Sequence, residues 1–116
     1  MEEKEIRPIT LTMADGKVYT LEFNRSTVEM AERAGFSREE AVDKMMTFLP
    51  MLFFYAFMMH HPTIKREKTD KILFEDLGGL SNAVISRLID LYDLPYDELI
   101  SKDDAESKNP RVTVTL

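Results

Sequence analysis

Apolar and polar residues alternate along residues 8–23, a pattern that predicts two antiparallel strands joined by a short turn. A two-residue turn would divide the apolar side chains between both faces of this hairpin. A three-residue loop at 14–16 instead places Leu11 opposite Tyr19 and gathers the apolar side chains on one face. We therefore predict the three-residue loop, with Gly16 in the left-handed conformation that glycine adopts without steric cost.

A short helix follows the hairpin, from about Ser26 or Thr27 to Ala34. Asn24 and Ser26 are both suitable N-cap residues, because a short polar side chain accepts a hydrogen bond from a free amide of the first turn. Gly35 occupies the position at which helices commonly end in a left-handed residue. Local signals therefore mark both ends of this helix.

The central helix is predicted to run from Ser37 to about His60. Ser37 and Glu40 have the spacing of a capping box at its start. Pro50 removes an amide donor and crowds the preceding turn, so we expect a kink or a restart there. One face carries apolar residues spaced alternately four and three apart, which predicts a buried stripe. These residues are Val42, Met46, Leu49, Phe53 and Ala56.

Two further helical segments are predicted beyond the turn that follows the central helix. One begins at about Ile64 or Thr69 and is stopped by the glycine pair at 78–79. The next begins at 81–82, and we expect it to break at Pro95, with one or two further turns beyond, because the residue before a proline is driven out of the α region.

The C-terminal part of the chain changes character twice. Residues 101–109 are polar and acidic, which indicates a linker, whereas residues 111–116 alternate at period two and favour a strand. This strand either joins the hairpin as a third strand or pairs with another chain. The fold class is thus predicted to be α+β, with the N-terminal hairpin packed on a bundle of about four helices within residues 26–100.

Length and composition indicate one domain, because 116 residues are too few for a second core. The chain has no cysteine, which excludes disulfides and thiolate chemistry. Its acidic, polar start predicts no signal peptide. The apolar run at 48–59 is shorter than the about 20 residues that a membrane span needs. We therefore expect a cytoplasmic protein that does not enter a membrane.

The net charge of −6 argues against nucleic acid as the main partner, since phosphate binding requires a basic face. The most basic stretch, Lys65 to Lys71, is interleaved with Glu67 and Asp70, as is typical of a solvated helix face.

The residue types that support catalysis or metal binding do not occur in the required patterns. His60 and His61 are adjacent, so they point in different directions on a helix and are expected to touch the last carbonyls or solvent. The acidic residues at 103–106 lack the spacing of a calcium loop, and those at 90–98 need no catalytic explanation. We therefore expect no catalytic residue, no cofactor and no metal site.

The apolar run at 48–59 is the strongest candidate for a functional surface. Four methionines and five aromatic residues lie between positions 46 and 59, and such side chains form adaptable binding surfaces. The run is either buried by the hairpin and the later helices, or covered in part by a partner or a second copy of the chain. Beyond Pro50, the candidate partner contacts are Met51, Phe54, Tyr55 and Met58.

Two stretches carry a resemblance to a known family. Residues 17–36, KVYTLEFNRSTVEMAERAGF, combine a hairpin strand with a short helix that ends in Ala-Gly-Phe. Residues 52–62, LFFYAFMMHHP, precede a helix and then the segment LIDLY at 88–92. From about Ile9 to Ile100, this order resembles small proteins of phages and prophages of Gram-positive bacteria that are similar to tail assembly chaperones.

The resemblance implies a protein that binds the tape-measure or tail-tube protein during tail assembly and is missing from the finished virion. It brings no catalytic residues. An alternative is a structural tail accessory or completion component that uses the C-terminal strand for pairing between subunits. A small enzyme is the third hypothesis, and a polar pocket that unites His60 or His61 with a perturbed carboxylate would support it.

Overall fold

Residues 6–100 and 115–116, the part of the chain that the computed structural model describes, form a two-stranded antiparallel hairpin followed by four helices. The strands are β1 (Ile9–Thr12) and β2 (Val18–Leu21). The helices are α1 (Arg25–Arg33), α2 (Met45–Phe57), α3 (Arg66–Lys71, continued by a π-helical turn over Ile72–Asp76) and α4 (Asn82–Leu99). The predicted α+β fold is confirmed. The linker predicted at 101–109 and residues 111–114 of the predicted strand lie outside the described residues.

The hairpin has the predicted register and the predicted three-residue loop. Leu11 lies opposite Tyr19, and the Met13 amide donates to the Lys17 carbonyl at 2.7 Å to close the loop. Gly16 has a φ of 90°, in the left-handed region that its position in the loop requires. Tyr19 is buried, and its face of the hairpin packs on α2.

Helix α1 begins at Arg25, just before the predicted start at Ser26 or Thr27, because Asn24 and not Ser26 is its N-cap. Asn24 is the N-cap: its side chain accepts from the Thr27 amide at 2.9 Å, and its own amide donates to the Thr27 hydroxyl at 2.9 Å. Gly35 has a φ of 104°, and the Phe36 amide donates to the Ala31 carbonyl at 2.9 Å. This pattern is a Schellman motif, which satisfies carbonyls at the end of the helix.

The central helix starts later than predicted. The Ser37 hydroxyl does accept a hydrogen bond from the Glu40 amide at 3.2 Å, but residues 38–44 form turns and not an α-helix. Lys44 interrupts the helical path with φ −126° and ψ 50°, and α2 begins only at Met45. The helix then continues through Pro50, so the restart expected at this proline lies at Lys44 instead.

This interruption overturns part of the predicted buried stripe. Phe53 and Ala56 are fully buried and Leu49 is half-buried, as the stripe requires. Val42 and Met46 are instead exposed, with 68% and 87% of their surface accessible. Val42 is exposed because it precedes the break at Lys44 and is out of phase with α2. Met46 lies on α2 itself, in the first turn, and its exposure shows that the elements which cover the second half of the helix do not reach that turn.

The last two helices differ from the prediction mainly at Pro95. Helix α3 begins at Arg66, between the two predicted starts, and its π-helical turn ends just before the glycine pair. Ser81 caps α4 by accepting a hydrogen bond from the Val84 amide at 3.3 Å, as predicted. The predicted break at Pro95 is wrong, since α4 continues to Leu99. Pro95 is buried, and this packing offsets the amide donor that the helix loses there.

The core is organised around the second half of α2. This helix contacts β2, α1, α3 and α4. Phe53 and Phe57 are fully buried, with their ring centroids 5.1 Å apart in an edge-to-face arrangement. Leu88 and Leu91 of α4 close the core from the other side. Within the described ranges, no helix combines the length and apolar character needed to cross a bilayer.

Replacing Gly16 by valine is expected to lower the free energy of unfolding by about 1–2 kcal/mol, because a β-branched residue resists positive φ. No atom lies within 4 Å of a Cβ built on Gly16, so the effect isolates backbone strain. The measurement is urea unfolding followed by circular dichroism, with Ala14→Val in the same exposed loop as the matched control. An unchanged midpoint for Gly16→Val would contradict the prediction.

Candidate binding surface

The two adjacent histidines both contact β2 or its C-terminal flank. Nε2 of His61 accepts a hydrogen bond from the Thr20 amide at 3.0 Å. Nε2 of His60 lies 2.8 Å from Oε1 of Glu22. One predicted alternative was that these rings touch the last carbonyls of α2. The hydrogen bonds of both rings go to the Thr20 amide and the Glu22 carboxylate instead. Among the described residues, no three histidine, aspartate or glutamate side chains are grouped closely enough to hold a metal ion.

These contacts close the outer edge of β2. The Glu22 amide donates to the Ala56 carbonyl at 2.9 Å, one strand repeat beyond the bond from Thr20 to His61. The end of α2 and the turn after it thus satisfy strand amides that a third strand would otherwise bind. An unpaired strand edge invites association with other chains. The β2 edge is therefore not available for pairing in this structure.

His61 is held in its neutral form by its surroundings. Burial lowers the pKa of His61 below its ordinary value of 6.5, and the charges of His60 and Lys17 lower it further. The ring packs edge-on against Tyr19, with centroids 5.0 Å apart. Because Nε2 accepts from the Thr20 amide, the neutral ring carries its proton on Nδ1. Protonation of Nε2 would replace this hydrogen bond with two opposed donors.

The acidic residues around the end of α4 lie on a helix and not around a loop. Asp93 receives a forked pair of hydrogen bonds from Arg38, from Nε to Oδ1 at 3.0 Å and from Nη2 to Oδ2 at 3.2 Å. This pair joins the segment before α2 to α4, so Asp93 has a structural partner. The acidic residues at 103–106 lie outside the described part of the chain.

The four residues predicted as partner contacts are not equivalent in the structure. Met58 is buried, with 8% of its surface accessible, and it is corrected here to an interior residue. Met51 and Tyr55 are half-buried and pack against the core. Phe54 is also half-buried, and its ring lies edge-on to Tyr55 with centroids 4.9 Å apart. The second half of α2 therefore serves mainly as core, because the hairpin and the other helices converge on it.

The structure instead exposes apolar side chains at the beginning of α2. Met46 lies there beside Phe74, of which 57% is accessible, across a cleft of about 130 Å³ between α2 and the end of α3. We call this the methionine cleft, and its lining is Met45, Met46, Leu49, Pro50, Leu73, Phe74, Gly79 and Leu80. Helical periodicity predicted Met46 to be buried with Leu49 and Phe53, because the spacing of apolar residues does not show how far along a helix the neighbouring elements extend. The polar residues Lys44 and Thr47 on either side of the two methionines were the available signal.

Comparison with known proteins gives a family but no function. The chain matches the family described as Domain of unknown function (DUF5055) over residues 3–116, and it belongs to that family. No curated protein and no solved structure is detectably similar to it. The functional conclusion therefore depends on the residues and surfaces of this chain.

The contribution of His61 to stability is expected to fall below neutral pH. Because its pKa is lower in the folded chain than in the unfolded chain, the unfolded state binds more protons as the pH falls through about 6.5. The free energy of unfolding therefore decreases with falling pH, and this effect levels off below the folded-state pKa. Urea unfolding between pH 7.5 and 5.0 measures the dependence.

The matched variant for this measurement is His61→Gln, which retains an acceptor for the Thr20 amide but does not titrate. It should show a smaller loss of stability over the same pH range. His60→Gln is the control for a general histidine effect. In the wild type, the partly accessible His60 ring is hydrogen-bonded to the Glu22 carboxylate and not to a strand amide. Equal pH dependence in the wild type and His61→Gln would contradict the role assigned to His61.

Proposed function

We propose that this chain is a phage tail assembly chaperone-like protein that binds the tape-measure or tail-tube protein in the host cytoplasm during tail morphogenesis. The methionine cleft is the observation that best supports a binding function. Exposed, contiguous apolar side chains are costly on a free surface and are typical of sites that a partner covers. The sequence resemblance from about Ile9 to Ile100 supplies the identity of the client.

The side chains of the methionine cleft suit a client of variable sequence. Methionine has three rotatable bonds and a polarizable sulfur, so it adjusts its shape to different apolar partners. Phe74 contributes a large apolar face on the opposite wall, held by the π-helical turn. A chaperone must cover apolar surface of its client and later release it, and flexible apolar contacts allow both.

The half-buried side chains on α2 extend this surface only to a limited degree. Met51, Phe54 and Tyr55 do not line the methionine cleft, but they remain candidate partner contacts because each is only half-buried. Met58 is excluded by its burial. In this proposal the chain acts by binding and carries out no chemical reaction, since the two histidines already have structural partners.

Co-expression with a tape-measure protein is expected to raise the soluble fraction of that client and to yield a complex on affinity purification. Met46→Glu should reduce both effects, because a charge at the edge of an apolar cleft loses hydration when a client covers it. Met30→Glu, an exposed methionine on α1 outside the cleft, is the matched control.

Absence of both the complex and the gain in solubility with the wild-type chain would contradict the proposed function. Mass spectrometry of purified virions distinguishes the alternative of a structural tail component. A chaperone should be absent from the particles, whereas an accessory or completion protein should be present in a constant ratio to the other tail proteins.

A further inference from the structure

A second groove runs between α1 and the last two turns of α4, on residues that do not line the methionine cleft. Its wider end encloses about 720 Å³, beside Phe36 and Val42, and its narrower end encloses about 280 Å³, beside Leu99. Val28, Glu32 and Tyr96 line both ends, so the two parts are continuous. The groove exists because α4 does not break at Pro95, which lies in its floor at the narrower end.

The lining of this α1–α4 groove is mixed, and its apolar part includes an aromatic and an aliphatic side chain on α4. Tyr96 and Leu99 retain 54% and 67% of their accessible surface, although both are large apolar or aromatic residues. They lie three residues apart on α4, and Val28 faces them from α1. Residues at this spacing share one helix face, so the groove presents a continuous apolar strip.

The rim of the groove is negatively charged. Glu32, Glu39 and Asp97 line it and form no salt bridge with any residue that the structure describes. Arg38 also lies at the groove, but the fork to Asp93 neutralises its charge. One cation, Arg25, lines the narrower end. Three carboxylates that have no salt-bridge partner among residues 6–100 thus flank an apolar strip.

Tyr92 lies in the wall of the same groove. Burial raises the pKa of Tyr92 to about 12, and the negative charges of Glu32 and Asp93 raise it in addition, whereas Arg38 acts in the opposite direction. Tyr92 lines the groove, so the charges of these two carboxylates act on its wall as well as on its rim.

We propose that the α1–α4 groove binds an amphipathic helix of a partner protein, with the apolar face of that helix on Tyr96 and Leu99 and its basic side chains against Glu32, Glu39 and Asp97. The inference rests on the proposed function only in that the chain acts by binding a protein. The stretches 25–32 and 92–99 each span about 10 Å along a helix axis, so the groove accommodates about two turns of the incoming helix. Apolar anchors with flanking charges are the usual mode of helix recognition in a groove.

The test uses fluorescence anisotropy with the full-length chain and a labelled peptide of about 15 residues, a length at which a helix is marginally stable in water. Leucines occupy one face of this peptide and lysines the other, and a second peptide carries glutamate in place of every lysine. The lysine peptide should bind, with an affinity that falls as salt is added. The glutamate peptide should not bind.

Two variant pairs locate the binding site. Tyr96→Ala should weaken binding on the order of tenfold, as expected for an aromatic anchor, whereas Met30→Ala on α1 outside the groove should not. Glu32→Gln combined with Glu39→Gln should weaken binding and reduce its salt dependence. Glu67→Gln combined with Glu75→Gln removes the same charge from exposed positions elsewhere and is the control for net charge.

Three results of the peptide measurements would overturn the proposal: no binding of the lysine peptide, equal loss in both glutamate pairs, or binding of the glutamate peptide with similar affinity. Sedimentation of the free chain addresses a second copy as the occupant. If the chain self-associates and Tyr96→Ala makes it monomeric, the groove is an interface between copies and the proposal is wrong. If the chain binds the lysine peptide but does not solubilise the client, only the proposed function is contradicted. If it solubilises the client but does not bind the lysine peptide, only this inference is contradicted.

Discussion

The burial of Phe53 and Phe57 in the second half of α2 is the constraint on which the rest of the fold depends. The ring of Phe57 packs edge-on against Phe53 and Tyr19, with centroids 5.1 and 5.4 Å away, so one side chain joins the helix to the hairpin. Each phenylalanine contributes roughly 1.5–3 kcal/mol by burial. Since α2 also contacts α1, α3 and α4, the positions of these elements follow from how they cover this half of the helix.

A two-stranded hairpin is at best marginally stable alone, and here α2 provides what it lacks. The apolar face of β2 packs on the helix, while Ala56 and His61 accept the outward-facing amides of Glu22 and Thr20. The end of α2 and the turn after it thus cover one face of the sheet and also satisfy the amides at the outer edge of β2. His61 is therefore better understood as a side chain that completes the edge of the hairpin than as a metal ligand.

Because the core takes up the second half of α2, apolar surface remains at its beginning and along α4. Met46 is exposed in the first turn of α2 at the methionine cleft, and the continuation of α4 past Pro95 places the exposed Tyr96 in the α1–α4 groove. The two surfaces differ in chemistry, since the first is lined by methionine and other apolar residues and the second carries free carboxylates such as Glu32. In the proposed function, these two surfaces allow the chain to hold one partner at two points or two partners at once.

Local sequence determined the register of the hairpin, the caps of α1 at Asn24 and Gly35, and the class of the fold. These features depend on alternation, on a positive φ or on a hydrogen bond within a few residues, so a short stretch of chain contains all the required information. Only the tertiary structure decided that Met58 is interior and Met46 exposed, and that α4 passes through Pro95. Those outcomes depend on which distant elements cover a given helix face, and neither periodicity nor the local effect of a proline carries that information.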